Sequence, residues 1–200
     1  MRKNQRIFLN MAFVVMVVAV IAASLTGCAA NDPLANQFKA GDNKNYIAGD
    51  GTVTEFAPEN RKAAVAWSGV SESGETISST QLEGVVTVVN FWYAACLPCR
   101  LEAPDLVELA AKYPEAQFIG VNVRDSAETS AAFSKSKKLT WPSIIDKNDG
   151  AVMLAFTGIV TPNAVPTTLV IGKDGKVTSR IYGQIDKSIL GTLIQTAIEE

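Results

Sequence analysis

From about residue 51 onwards, strand-like and helix-like patterns of apolar positions succeed one another along the chain. The run Val85–Trp92 is almost wholly apolar, which predicts a strand buried on both faces of a central sheet. Two shorter strand patterns follow it, and two more flank an Asp-Gly turn and predict a hairpin. These four predicted strands are Gln117–Val123, Ser143–Ile145, Thr167–Ile171 and Lys176–Ile181.

Helical patterns lie between and after these strands. The predicted helices run approximately over Leu97–Lys112, Ser126–Lys137, Ala151–Phe156 and Asp186–Ile198. Pro104 lies inside the first helix and should kink it, because proline cannot donate the backbone hydrogen bond. Asp125 is predicted to cap the second helix, with Glu128 placed three residues later for a capping box.

An earlier hairpin is predicted where the segments Ala63–Val70 and Glu75–Ser78 flank a Ser-Glu-Ser-Gly turn. Strands therefore alternate with helices first, and a hairpin and a helix close the chain. This order predicts the α/β fold class, with a sheet that has an antiparallel edge.

The N-terminal pattern is that of a targeting segment. Residues from Ile7 to Leu25 are almost wholly apolar and follow three basic residues, which is typical of an export signal. The stretch ends in Leu-Thr-Gly-Cys28, which resembles the lipobox of bacterial lipoproteins, where the cysteine is lipidated. We therefore expect a signal peptide at 1–27 and a lipid anchor on Cys28; the alternative is an uncleaved transmembrane helix. Both interpretations place the remaining chain outside the cytoplasmic membrane.

The segment after this cysteine has no periodic pattern and is rich in Asn, Asp, Gly and Lys. We interpret residues 28–50 as the lipid anchor and a flexible tether, and residues 51–200 as one α/β domain.

Composition narrows the chemistry. Eighteen basic and twenty acidic residues give a net charge of −2, so we expect no nucleic-acid partner. The chain has no histidine, which excludes a Ser-His-Asp or Cys-His catalytic site and any histidine-ligated metal or haem. No metal and no cofactor are expected. If Cys28 carries lipid, only Cys96 and Cys99 of the three cysteines remain as thiols, which is one pair in an oxidising compartment.

This pair forms the motif Cys96-Leu97-Pro98-Cys99, which follows a predicted buried strand and opens a predicted helix. The free N–H groups and partial positive charge of a helix N-terminus stabilise a thiolate, so the pKa of Cys96 should fall below about 8.5. Pro98 stiffens the segment between the two sulfurs, and Arg100 adds positive charge. Cys96 would then be the exposed attacking thiol and Cys99 the more buried resolving thiol.

Other uses of a cysteine pair fit less well. A structural disulfide would gain little chain entropy from so short a loop, and a zinc knuckle needs a second pair of ligands. A c-type haem needs histidine after the second cysteine, where Arg100 stands. A peroxiredoxin-type thiol would have threonine three residues before it, where Tyr93 stands.

The segment from Asn90 to Pro104 resembles the active-site segment of the TlpA/ResA family of membrane-anchored thioredoxin-like proteins. The matching features here are the lead-in strand, Cys-x-Pro-Cys-Arg, Glu102 and the proline. Further along, Val165-Pro166-Thr167 resembles the cis-proline loop of the family, and the later hairpin and Gly183 also match. The resemblance covers about residues 51–200. It implies a thioredoxin-like fold: a central mixed sheet flanked by helices, with an extra N-terminal β-hairpin.

The resemblance also implies roles for individual residues. Pro166 would be cis and face a redox disulfide between Cys96 and Cys99, and the backbone of Val165 would pair with a bound substrate strand. Glu102 would lie close to the dithiol and help to move protons, unless it is a carboxylate on the helix surface. Trp92 would lie beside the active-site loop, or it would belong to the core.

Two positions depart from the pattern of ordinary thioredoxins. Ala95 stands directly before the first cysteine, where thioredoxins usually have tryptophan. Asn90 stands where cytoplasmic thioredoxins have a buried aspartate that assists the resolving thiol, so Glu102 or water must accept that proton. Both departures favour a protein specialised for particular partners.

We therefore expect an extracytoplasmic thiol–disulfide oxidoreductase that acts as a protein-disulfide reductase. The resemblance implies a disulfide-containing protein substrate, with apocytochrome c favoured, and a membrane thiol electron donor. We expect a monomer, lipid-anchored to the cell membrane on its extracytoplasmic face. The alternatives are an oxidase or isomerase for secreted proteins, and a binding lipoprotein without turnover.

Overall fold

A computed structural model describes residues 53–161 and 164–200 of the chain. The predicted signal peptide at 1–27, the predicted tether at 28–50 and Cys28 lie outside the described residues. Within the described ranges, no helix combines the length and the apolar character that crossing a membrane requires.

The central strand, β4, spans Thr87–Trp92, and all six of its residues are buried. It pairs in parallel with β5 (Gln117–Asn122) and antiparallel with β7 (Thr167–Ile171), so both of its edges are satisfied. The predicted doubly buried strand is thus confirmed, but it starts later than Val85. The amide of Val85 donates to the carbonyl of Leu82 at 3.2 Å and closes a turn before the strand begins.

Six strands form one mixed sheet in the order β1-β8-β7-β4-β5-β6. The three strands not yet located are β1 (Val53–Glu55), β6 (Ser143–Ile145) and β8 (Val177–Tyr182). Strand β6 runs parallel to β5, whereas β8 is antiparallel to both β7 and β1. The predicted central mixed sheet is confirmed. Strand β1 was not predicted, and it is found only through its pairing with β8.

The predicted N-terminal hairpin is also confirmed. Its strands are β2 (Ser68–Val70) and β3 (Thr76–Ser78), which pair antiparallel in a sheet of their own. The first strand begins at Ser68, later than predicted. An isolated bridge between Ser71 and Ile144 attaches the hairpin to the edge strand β6.

Four α-helices lie in the described ranges: α1 (Leu97–Lys112), α2 (Ala127–Lys137), α3 (Ala151–Ala155) and α4 (Lys187–Glu199). Helix α1 is continuous across Pro104, and the kink expected there stays a prediction. The expectation that Asp125 caps α2 with Glu128 in a capping box is wrong. Ser126 is the cap and accepts from the amide of Thr129 at 3.3 Å, because Asp125 is engaged with the loop before α1.

Two apolar clusters cover the two faces of the sheet. Val88 packs with leucines of α1 and α4, whereas Val89 packs in a second cluster with Phe91 and Phe156. Successive residues of a strand point to opposite faces, so β4 contributes to both clusters. The carboxyl ends of the parallel strands β4 and β5 therefore lie at one fixed edge of the sheet, where α1 begins.

Candidate active site

Cys96 and Cys99 form a disulfide at the start of α1, with an S–S distance of 2.05 Å and a Cα–Cα distance of 5.3 Å. Both residues are 3% exposed. The expectation of an exposed Cys96 above a buried Cys99 is therefore wrong for the disulfide form. The reason is tertiary: Cys96 lies beneath the loop that contains Val165, whose carbonyl oxygen is 4.0 Å from the Cys96 sulfur.

The loop between β4 and α1 is held by hydrogen bonds on both sides. The amide of Cys96 donates to the carbonyl of Tyr93 at 3.2 Å and closes a turn. The amide of Ala94 donates to the Asp125 carboxylate at 2.6 Å, and the Asn122 side chain donates to the same oxygen at 2.9 Å. Asp125 lies three residues after the end of β5, and it reaches this loop because parallel strands bring their carboxyl ends together.

Sequence reasoning missed this role of Asp125 and Asn122. Asn122 ends β5 and Asp125 follows three residues later, and this polar pair at the end of a predicted strand was the signal that could have found them. Arg100 adds a further contact, since its guanidinium donates to the carbonyl of Ala94 at 3.3 Å.

Cys96 is the N-cap of α1, and the amide of Cys99 points at its sulfur at 3.2 Å. Pro98 lies in the first turn of the helix, where a missing N–H removes no intrahelical bond. The predicted position of the motif at a helix N-terminus is confirmed. A sulfur there receives a backbone donor and the positive end of the helix dipole.

The Val165–Pro166 peptide is cis, as the family resemblance implied. Pro166 is buried, and its carbonyl accepts from the amide of Gly183 at 2.9 Å. The structure thereby brings together the loop before β7, the turn after β8 and the disulfide.

Trp92 is buried at the end of β4 and packs in one apolar cluster with both cysteines. The centroid of its ring lies 4.5 Å from that of the Phe133 ring, and the two ring planes make an angle of 34°. Its indole N–H donates to the hydroxyl of Ser143 at 3.3 Å. Trp92 is thus both part of the core and adjacent to the disulfide.

Glu102 is fully buried, so the alternative of a carboxylate on the helix surface is wrong. It lies one turn beyond Cys99 on α1. Its two carboxyl oxygens accept from the Asn90 amide at 2.9 Å and from the backbone of Ile185 at 3.0 Å. The same Asn90 nitrogen donates to the Thr168 hydroxyl at 3.0 Å, which links helix α1 to strands β4 and β7.

Burial raises the pKa of Glu102 from 4.5 to about 7, against the lowering effect of the hydrogen bonds from Ile185 and Asn90. Nearby Asp105 contributes a smaller increase. A carboxyl with this pKa can both accept and return a proton near neutral pH.

Apolar side chains on the outer side of α1 remain in solvent. Leu97 is 65% exposed and Leu101 is 56% exposed, and residues four apart share one side of a helix. Ala95, directly before the disulfide, is also exposed. The rim of the disulfide site is therefore apolar on this side.

The sequence profile of the AhpC/TSA family matches residues 60–180, which is more than half of the chain. The chain belongs to the AhpC/TSA family. Among its relatives, thiol-disulfide oxidoreductase ResA of Bacillus cereus is 34% identical over 125 residues, 61% of this chain and 69% of that protein. The ResA of Bacillus subtilis is 25% identical over 192 residues, which cover 95% and 92% of the two chains. The predicted TlpA/ResA-like resemblance is confirmed.

Solved structures agree with this assignment. A secreted thiol-disulfide isomerase from Corynebacterium glutamicum superposes with a TM-score of 0.69 at 25% identity, over 78% of this chain and 98% of that one. A DsbF homologue from Corynebacterium diphtheriae gives 0.67 at 26% identity, over 76% and 96%. The thioredoxin-like fold is confirmed, and with the Cys96–Cys99 disulfide these relatives make the chain a thiol–disulfide oxidoreductase.

Proposed function

We propose that the protein is an extracytoplasmic protein-disulfide reductase. The observation that carries this direction is the surroundings of the disulfide. Cys96 and Cys99 are buried in an apolar cluster, and Leu97 and Pro98 between them bring neither charge nor a side-chain donor. Apart from the one backbone amide that the Cys96 sulfur receives, these surroundings solvate a thiolate poorly, which favours the disulfide form over the reduced form. Strong oxidants of this class instead stabilise their reduced form, so we assign the reducing direction.

In the proposed reaction the Cys96 thiolate attacks one sulfur of a substrate disulfide. A bond forms between Cys96 and that sulfur, the substrate S–S bond breaks, and the leaving sulfur takes up a proton. Cys99 then loses its proton and attacks the Cys96 sulfur, which releases the second substrate thiol and restores the Cys96–Cys99 disulfide. Two electrons have passed to the substrate, and a membrane thiol donor returns two electrons and two protons.

The geometry supports Cys96 as the attacking residue. Its sulfur lies at the helix N-terminus and faces the amide of Cys99 at 3.2 Å, an arrangement that favours its thiolate over that of Cys99. Cys96→Ser should abolish turnover, whereas Cys99→Ser should accumulate mixed disulfides with its partners. If Cys96→Ser trapped partners and Cys99→Ser did not, the two roles would be reversed.

Glu102 is the proposed acceptor for the proton that Cys99 loses. It lies one turn further along α1, and its pKa of about 7 allows it to take up a proton at neutral pH. Asn90 cannot accept a proton, but its amide orients the carboxylate. The backbone of Val165, which lies beside Pro166 and the Cys96 sulfur, is proposed to pair with a bound substrate strand.

The apolar rim favours protein substrates over small disulfides. An incoming sulfur must reach Cys96 past Ala95 and Leu97, so the residues next to the substrate cysteine meet Leu97 and Leu101. Cysteines of apocytochrome c before haem attachment are the favoured substrate, on the family resemblance. We further propose a monomer held at the cell membrane through Cys28, because Leu-Thr-Gly-Cys28 resembles a lipobox; mass spectrometry of the mature N-terminus tests the anchor. An unlipidated chain that begins at Met1 would overturn this anchoring.

A second candidate is an oxidase or isomerase, which the name of the Corynebacterium glutamicum neighbour favours. The reduction potential of the Cys96–Cys99 pair, measured by equilibration with glutathione or dithiothreitol, separates the two. A potential of about −250 mV or lower supports the reductase, and one near about −120 mV would refute it in favour of the oxidase. A chain that exchanges no protein disulfide would instead be a binding lipoprotein.

A further inference from the structure

The turn of the β2–β3 hairpin contacts the edge strand β6 through Glu72, next to the bridge between Ser71 and Ile144. The backbone amide of Glu72 donates to the carbonyl of Ser143 at 3.0 Å. The Glu72 carboxylate accepts from the amide of the same serine at 2.6 Å. Glu72 therefore satisfies both backbone groups of Ser143 on the side that faces away from β5, where an edge strand has no further strand to pair with.

Ser143 carries this contact on to the disulfide site. It is fully buried, and its hydroxyl accepts the indole N–H of Trp92 at 3.3 Å. Trp92 in turn packs in the cluster that contains Cys96 and Cys99. Three residues thus form an unbroken series of contacts from the hairpin to the sulfurs.

Gly120 leaves the space in which this contact forms. It lies in β5 beside Ser143, and a Cβ atom added there would overlap the Ser143 hydroxyl and lie 2.8 Å from the indole nitrogen of Trp92. Any other residue at this position would push apart the two groups that form the hydrogen bond. Gly120 leaves room for the indole of Trp92, and the Ser143 hydroxyl fixes its orientation by accepting its N–H.

We infer that Glu72 is a positioning residue for the redox centre, holding Trp92 against the Cys96–Cys99 pair through Ser143. This inference rests on the proposed function only in taking that pair as the redox centre. When the Ser143 amide loses its carboxylate partner, the backbone bond from Glu72 and the pairing with β5 remain, but Ser143 holds the indole less firmly and water gains access to the sulfurs. Water solvates thiols and thiolates better than an apolar cluster does, so the reduced form gains relative to the disulfide.

The test compares variants of the full chain in their equilibrium with glutathione, read from the fraction of alkylated thiols. Glu72→Ala should shift the equilibrium constant about fivefold towards the dithiol, the factor expected from one hydrogen bond. Glu72→Gln retains a side-chain oxygen that accepts the Ser143 amide, so it should remain close to the wild type. Glu75→Ala is the matched control: it removes a carboxylate from the same turn, where the Glu75 side chain is exposed.

Ser143→Ala gives a second measurement, because it keeps both backbone bonds to Glu72 and removes only the acceptor for Trp92. It should show the same shift, with a change in the tryptophan emission of the oxidised protein that Trp92→Phe assigns to this residue. The inference is overturned if Glu72→Ala matches the wild type, or if Glu72→Gln shifts as far as Glu72→Ala. Should Glu72→Ala fail to fold, an unshifted Ser143→Ala overturns it. An oxidising wild-type potential would refute the reductase but leave the comparison among variants intact, so the two failures are distinguishable.

Discussion

Replacing Glu102 by glutamine removes a buried carboxyl group while keeping its shape. In the wild type its oxygens accept from Asn90 and from the backbone of Ile185. Glutamine retains an oxygen for the Ile185 amide, and its own amide can donate to Asn90 once that side chain turns its oxygen towards it. The variant should therefore fold with its hydrogen bonds intact and without a group that titrates near pH 7.

The expected effect is a change in how stability depends on pH. The pKa of Glu102 is about 7 in the folded chain, against 4.5 for an unperturbed carboxyl, so the folded chain binds more protons between these values. The free energy of unfolding therefore falls as the pH rises through this window. From pH 5 to pH 8 the contribution of Glu102 is a loss of about 2 to 3 kcal/mol, since the slope approaches about 1.4 kcal/mol per pH unit only between the two pKa values. Glu102→Gln should not show this loss.

Urea unfolding of the oxidised protein at several pH values, followed by circular dichroism, measures the difference. The wild type should lose about 2 to 3 kcal/mol more than Glu102→Gln between pH 5 and pH 8. Glu115→Gln is the control, because it makes the same substitution at an exposed carboxylate and should leave the slope as in the wild type. Equal slopes for the wild type and Glu102→Gln would refute the raised pKa and, with it, the proposed proton acceptor.

Two further predictions concern the rim and the loop. Leu97→Asn and Leu101→Asn should each lower kcat/KM for protein disulfides about tenfold, the equivalent of about 1.4 kcal/mol, and leave a small disulfide such as oxidised glutathione unaffected. Leu154→Asn, which changes a leucine that is 61% exposed on α3, is the control, and equal losses at all three positions would contradict a docking role for the rim. Asp125→Ala removes the acceptor for the Ala94 amide. It should lower the free energy of unfolding, measured with urea, by about 2 kcal/mol. An unchanged unfolding midpoint would show that this contact does not hold the loop.

The redox motif and its position were readable from local pattern. A strongly apolar run before Cys96 and helical spacing after Cys99 are both properties of consecutive residues, and the structure confirms the strand and the helix they predict. The later Asp-Gly hairpin was predictable for the same reason, since a short turn leaves little choice of partner strand. The predicted N-cap of α2, Asp125, is wrong by a single residue, since the observed cap is Ser126.

Burial and long-range pairing were decided by tertiary structure. No local pattern shows that the loop of Val165 covers Cys96, or that Glu102 is fully enclosed by Asn90 and Ile185. Those contacts join residues far apart in the chain, and only the order of strands in the sheet brings them together. Sequence reasoning could name the reacting sulfurs, because their chemistry is written in one short motif. The pKa of Glu102 depends instead on which groups surround it, and those are set by the packing of α1 against β4 and β7.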